Sequence, residues 1–544
     1  MSSIRKFAAL AFAIFLGISA LHAQSPLDMS KLMLQPTDTW PMYNGDYSGR
    51  RFSPLTAINT HTVQGLSLAW TYKIESTGGR TSGRISATPL QINGVLYFTV
   101  PNRVWAVDAR TGQRIWDFVW PTRGGFILGN RGVSVYKDTL YFETSDCNLV
   151  ALSILTGKEK WHVEIADLDQ MYYTSTPPTV IHNHLMIGVS GDDLDTPGYV
   201  EARDPETGKL QWRWYTHPNP GDPEAKSWPN EDAMMHGGGM TWIPGTYDPE
   251  LNLYFVGTGN AQPVINGSAR PGDNLYTACI VALNPDTGKL VWYFQANPHD
   301  THDWDAIETP VLFDGVINGQ KRKLLAQASR NGWFFVLDRT NGKAIVSTPF
   351  ARQNWAKGVD AKGQPIADPA KDAKPNGALV SPDQGGAANF PPQSFSPQTG
   401  LYYVNSTDAY SIYYIYDDSA KPEGWAGNDR GGYGKEVLRA LDYKTGKVKW
   451  EHEWPNYGIK SGVLTTAGNV LFVGDPTNHL IAFNAATGEI LWHSGLSAPV
   501  TNAPITYTLD GRQYVVAAAG DTLYSFVLQT ENSTTAQDGE VSKH

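Results

Sequence analysis

The chain has 544 residues, with 53 acidic against 43 basic side chains and a formal charge of −10, which argues against nucleic acid as a partner. At 41% hydrophobic and 18% charged it has the composition of a folded chain rather than a disordered one. Its 18 Trp and 53 Gly set large flat side chains among many tight turns, as in an all-β protein, and two cysteines are too few for a disulfide scaffold.

At the N-terminus, Arg5 and Lys6 precede the apolar run FAALAFAIFLGISAL and the small residue Ala23. This is the pattern of an export signal over residues 1–23, so the mature chain is expected outside the cytoplasm, in the periplasm. The run is too short to favour a membrane span, and no later stretch of about 18 apolar residues follows, so none is expected. Residues 24–529 read as one domain, and 530–544 as a disordered tail. Cys147 and Cys279 begin similar strands in non-adjacent repeats, which predicts two buried thiols.

The pattern Ala-x-(Asp/Asn/Ser)-x-x-Thr-Gly-x-x-x-Trp recurs six times, starting at Ala106, Ala151, Ala202, Ala282, Ala440 and Ala482. A degenerate copy, VLDRTNGKAIV, starts at Val336, and VQGLSLAW supplies an eighth strand end at Trp70. Each copy reads as an apolar strand, a turn made by Asp or Asn with Thr-Gly, and a second strand carrying the Trp. Spacings of 42 to 54 residues fit four short strands per repeat, while gaps of 80 and 104 residues imply long insertions. Such periods predict an eight-bladed β-propeller with Trp packed between neighbouring sheets. The final strands, RQYVVAAAG and TLYSFVL, are expected to complete the first blade and close the ring.

One insertion, PHDTHDWDAIETP (298–310), holds four acids and two histidines. By itself it reads equally as a solvated loop, a metal site or a catalytic site. The repeat resembles that of the pyrroloquinoline quinone (PQQ) dependent alcohol dehydrogenases. Three segments sharpen the resemblance: GVSGDDLDTPGY (188–199), GGGMTWIPGTYDPELNLYFVGTGN (237–260) and 298–310.

The resemblance implies that Asp303 is the catalytic base, taking an alcohol proton as hydride leaves for the quinone. It implies Asp193, Asn260, Asp303 and Asp305 as ligands of a hard cation, calcium or a lanthanide. Asp193 stands where the family has Glu, one methylene shorter. Asp305 follows Asp303 by two places, so an extended segment would point both carboxylates the same way, and the added charge favours a trivalent ion. Trp242 matches the stacking tryptophan, and the glycines before it are expected to allow close backbone approach. Arg131 and Arg330 match arginines that touch the quinone, while Thr174, Ser190, Gly191, Asp192 and Asn405 match its polar contacts.

Where many relatives carry two adjacent cysteines, this chain has Gly125 and Phe126, and Phe126 is expected to cover the second quinone face by stacking. The family Trp near the last blade is absent, with Lys460 roughly in its place. There is no C-x-x-C-H for covalent haem, so a separate soluble cytochrome c is the expected electron acceptor. The rival reading is a non-enzymatic propeller scaffold, such as an outer-membrane assembly factor. It has no use for Asp193, Asn260, Asp303 and Trp242 together.

Overall fold

The computed structural model describes residues 26–75, 83–191, 194–419, 421–454 and 461–529. The expected export signal, the expected disordered tail, Asp192, Asp193 and Lys460 lie outside the described residues. One short α-helix, Glu231–Met235, stands among strands. No described helix is long and apolar enough to cross a membrane.

The described residues form eight sheets of four or five strands, plus one two-stranded hairpin. In the sheet over 90–119, the strands Leu90–Ile92 and Val95–Val100 are buried throughout, whereas Arg114–Val119 is mostly exposed. The gradient places the first strand of each sheet at the axis and the last at the rim.

The turn between the third and fourth strands explains the repeat. Asp108 Oδ1 accepts the backbone N–H groups of Arg110 and Thr111 at 2.9 Å, and Gly112 closes the turn at φ +70°. The indole of Trp70, from the neighbouring sheet, lies flat on that glycine. A Cβ at Gly112 would sit 2.5 Å from the ring, while Trp70 Nε1 donates to Ala109 O at 3.1 Å. The same seat recurs for Trp116 on Gly157, Trp161 on Gly208, Trp212 on Gly288, Trp292 on Gly342 and Trp450 on Gly488. In the degenerate repeat Thr348 takes the Trp place against Gly446, and Trp492 meets Phe526 edge-on at 5.3 Å. Each sheet thereby touches the next, and the circuit returns to its start.

Closure is double. Leu66–Lys73 forms the rim strand of the last sheet by pairing with Thr522–Leu528. Upstream, residues 37–53 run across the inner strands and hydrogen-bond to seven of the eight sheets. Their partners are Thr508, Gln91, Val180, Tyr247, Leu312, Phe395 and Thr465. Arg51, fully buried in this strap, donates to the carbonyls of Tyr43, Val463 and Pro504 and lies over the Trp40 ring. Burial lowers its pKa to about 9. Cys147 and Cys279 are buried free thiols.

Because each Trp serves as a joint between sheets, Trp292→Ala removes ring packing and the bond to Arg339 O (3.1 Å) together. The expected cost is about 3 kcal/mol, seen as a lower denaturation midpoint.

Candidate functional site

The loops that enter the first strands all arrive at the axis, so residues distant in sequence meet there. Arg131 precedes Ser134–Tyr136, Ser175 precedes Thr179–Ile181, and Trp242 precedes Thr246–Asp248. Asp303 and Asp305 precede Val311–Ile317, and Phe390 precedes Ser394–Ser396. With Ser190, Arg330, Arg84, Phe126 and Trp425 they line a cavity of about 470 Å³, within the range that encloses a drug-sized ligand.

Arg330 is the centre of the polar wall. Its Nη2 donates to Asp303 Oδ2 and its Nη1 to Asp305 Oδ2, both at 2.8 Å, and Nη2 also reaches Gln384 O at 2.7 Å. Gln384 Nε2 donates to Asp303 Oδ2 at 3.2 Å. Asp305 is held on its other sides by Trp242 Nε1 (2.9 Å) and the Asn260 backbone N–H (2.6 Å). Burial pushes the Asp305 carboxyl up, against the opposing pull of Arg330 and these donors. Burial also opposes the Arg330 charge, but Asp303, Asp305 and Glu308 outweigh it and hold its pKa above the ordinary value.

The segment carrying the two acids is not an extended strand: Asp303 has φ +65°, in the left-handed region that Asp tolerates. The carboxylates meet because Arg330 spans them, not through alternation along a strand. The neighbouring residues His299, Asp300 and His302 build the loop. Asp300 accepts from the N–H groups of His302 (3.3 Å) and Trp304 (3.1 Å), and burial raises its pKa to about 6. His302 stacks on Trp304 at 4.3 Å and is lowered to about 4 by burial. His299 Nδ1 lies 2.8 Å from Gly272 O.

On the opposite flank, the Arg131 guanidinium lies 4.7 Å from the Trp242 ring centre and 4.9 Å from that of Phe390. Arg131 Nη1 bonds Ser175 Oγ, while its Nε and Ser190 Oγ are buried polar atoms with no partner among the described residues. A buried donor without a partner is costly, so these atoms mark places for a ligand. Guanidinium groups, an indole and four unmatched polar atoms, Arg84 Nε and Arg330 Nε being the other two, around one cavity fit a flat, polyanionic ring.

Thr174 and Asn405 do not line this cavity. Thr174 Oγ1 donates to Thr144 O at 2.7 Å, and Asn405 Nδ2 donates to Glu436 at 2.7 Å. Gly191 follows Ser190 at φ +152°. The glycines before Trp242 accommodate protein instead of ligand: a Cβ on Gly237 would meet the Trp228 ring at 2.2 Å, and one on Gly239 would meet Thr216 at 2.5 Å. Phe126 lines the cavity, half exposed, 5.4 Å from the Tyr173 ring. Gly125 must be glycine, since a Cβ there would fall 1.9 Å from Ser145 O. Sequence reasoning missed Arg84, Ser175, Gln384, Phe390 and Trp425, which sit in loops without a repeated pattern.

A propeller whose axial cavity sets paired carboxylates and an indole beside guanidinium groups defines a small-molecule binding enzyme of the quinoprotein type. The family described as "Glucose/ethanol/alcohol dehydrogenase, beta-propeller domain" matches residues 40–376. A second description, "Outer membrane protein assembly factor BamB", matches 434–538, which holds the last repeats and, among the described residues, none that line the cavity. The quinohemoprotein alcohol dehydrogenase of Comamonas testosteroni is 40% identical over 89% of this chain and 73% of its own. The quinoprotein alcohol dehydrogenase PedH of Pseudomonas putida is 36% identical over 94% and 91%. The solved structure of a europium-containing methanol dehydrogenase superposes with a TM-score of 0.82 at 28% identity, over 92% of this chain and 99% of that one. The chain belongs to the PQQ-dependent alcohol dehydrogenase family and is an alcohol oxidoreductase.

Arg330→Met strands two buried carboxylates without their cation. It is expected to cost about 3–5 kcal/mol, read as a lower melting temperature, with Arg330→Lys losing less.

Proposed function

We propose that this protein is exported to the periplasm by residues 1–23 and there oxidises an alcohol, with PQQ and a hard cation in the axial cavity and a soluble cytochrome c as electron acceptor. The observation that carries the reading is the meeting of Asp303 and Asp305 on Arg330 beside the Trp242 indole, in one cavity. When bound, PQQ supplies the carbon that accepts a hydride equivalent from the alcohol.

The chain's own groups do the rest. Asp303 takes the hydroxyl proton, and Arg330 with Gln384 keeps its carboxyl group aimed. Trp242 gives a flat seat, fixed by its N–H bond to Asp305. Arg131 and Arg330 would touch the quinone, and Ser190 Oγ, with the neighbouring Gly191 and Asp192, would give polar contacts. Phe126 covers the second face. Thr174 and Asn405, one shell back, brace the loops.

Asp193, Asn260, Asp303 and Asp305 form the oxygen-rich ligand set of a hard cation, calcium or a lanthanide. The Asn260 amide gives its N–H to Ala261 O at 3.2 Å, which leaves Oδ1 as the donor atom. Three carboxylates against one guanidinium favour the trivalent ion. Export to the periplasm rests on the Arg5–Lys6 and apolar pattern.

Protein purified without cofactor, then given PQQ with calcium or lanthanum, a dye acceptor and a panel of alcohols, is expected to turn over only with an ion present. Removing the ion with a chelator abolishes turnover, and readdition restores it. Asp303→Asn is expected to lower kcat by about 10²- to 10⁴-fold with PQQ still bound. Full activity in that variant, or without any ion, overturns the assignment. Phe126→Ala is expected to weaken PQQ binding in a titration.

A further inference from the structure

One sheet differs from the other seven. Its strands Leu401–Ile415 and Gly427–Asp442 run 15 and 16 residues, where Val470–Gly474 and His479–Asn484 of the next sheet have 5 and 6. The extra length makes an arm whose turn carries KPEGWAGN (421–428) back to the axial cavity. The arm is clamped there. Val264 N–H donates to Gly424 O (2.8 Å), Ile265 N–H to Trp425 O (3.0 Å), and Asn266 Nδ2 to Asp417 O (2.8 Å). Gly424 N–H donates in turn to Asp195 Oδ1 at 2.9 Å. Gly427 lies flush on Ile265, where a Cβ would meet the side chain at 2.5 Å.

So held, Trp425 packs against the buried cluster that includes Ile265 and Trp304, and shows its remaining surface to the cavity. Its indole N–H has no acceptor among the described residues. Cavity residues divide by depth: Asp303, Asp305, Arg330 and Arg131 are buried, whereas Phe126 and Leu128 are about half exposed, at 50% and 51%. Apolar side chains this open, grouped at the mouth of a cavity, mark a surface kept free for a ligand.

We infer that Trp425, carried on this arm, is a specificity-determining residue. With Phe126, Leu128 and Phe390 it forms an apolar outer chamber that selects alcohols bearing an aromatic or medium-chain alkyl group over methanol and over polyols. The inference rests on the reading of the cavity as an alcohol-oxidising site. The physics is one-sided. An aryl or alkyl group gains by leaving water against rings, methanol has nothing to place there, and the several extra hydroxyls of a polyol lose their water partners against rings whose one open donor, the Trp425 N–H, replaces at most one of them. Asp303, at the deep end, is left to meet the single hydroxyl.

The test has two readouts on the full chain. In saturation-transfer NMR on protein purified without cofactor, benzyl alcohol is expected to receive saturation and glycerol none, with Trp425→Ala weakening the benzyl alcohol signal. In the PQQ- and metal-loaded enzyme, kcat/KM is expected to run benzyl alcohol and 1-hexanol above methanol and glycerol. Trp425→Ala is expected to lower kcat/KM for benzyl alcohol by about tenfold or more, mainly through KM, and to change methanol within about twofold, with PQQ titration unaltered. Trp425→Phe, checked by thermal melting, keeps the aromatic wall and is expected to retain the profile. Gly427→Val moves the arm without touching the cavity and is expected to copy Trp425→Ala.

The inference falls if wild type prefers methanol or glycerol, or if Trp425→Ala lowers all alcohols alike. Benzyl alcohol bound through Trp425 but never oxidised by the loaded enzyme would instead remove the dehydrogenase reading and leave the chamber standing.

Discussion

The structure depends on one contact made six times over: an indole laid flat on a glycine of the next sheet, in five of the six with its N–H capped by a carbonyl of the same turn. The contact needs a residue without Cβ beneath the ring and a left-handed turn around it, and glycine satisfies both demands. Packing and hydrogen bonding therefore act through the same two residues, which fixes the angle between sheets as well as their attraction. Eight sheets set at a constant angle close on themselves, and the axis they enclose is where loops from separate repeats must meet.

The strap over 37–53 crosses that axis, ties six sheets by backbone hydrogen bonds and a seventh through the Tyr47 hydroxyl, and buries the Arg51 guanidinium among carbonyls. A rigid, plugged ring lets the inner loops carry groups that would cost stability elsewhere. Asp303, Asp305 and Arg330 are buried together, both carboxyl groups bonded to one guanidinium, and removing one partner from such a cluster is costly. Four polar atoms left over among the described residues, Arg84 Nε, Arg131 Nε, Ser190 Oγ and Arg330 Nε, belong to residues that line the cavity. The arm of the long-stranded sheet adds a separate element, an apolar mouth over a charged floor.

Much of this was legible in the chain itself. The Thr-Gly-x-x-x-Trp spacing announced the sheets and their packing, since the turn and the indole seat both depend on near neighbours in sequence. The family resemblance singles out Arg131, Ser190, Trp242, Asp303, Asp305 and Arg330, and the fold brings them to one cavity. Alternation of Asp303 and Asp305 along a strand was the wrong geometric reason for their meeting. The left-handed turn at Asp303 and the span of Arg330 bring them together instead. Thr174 and Asn405 face neighbouring backbone and Glu436, because a polar residue near an axis has several partners available, and pattern alone does not choose among them.

By itself, then, the sequence determined whatever is encoded over a few residues: the turns, the indole seats, the number of repeats, and the acids and arginines placed at loop ends. Tertiary structure alone decided which long insertion reaches the cavity. The segments around Phe390 and Trp425 have no periodicity, and their place is set by contacts from far along the chain, such as Asp195 to Gly424 and Ile265 to Trp425. Local sequence fixes local geometry, but a loop's destination depends on the surface that receives it, and that surface exists only once the ring has closed.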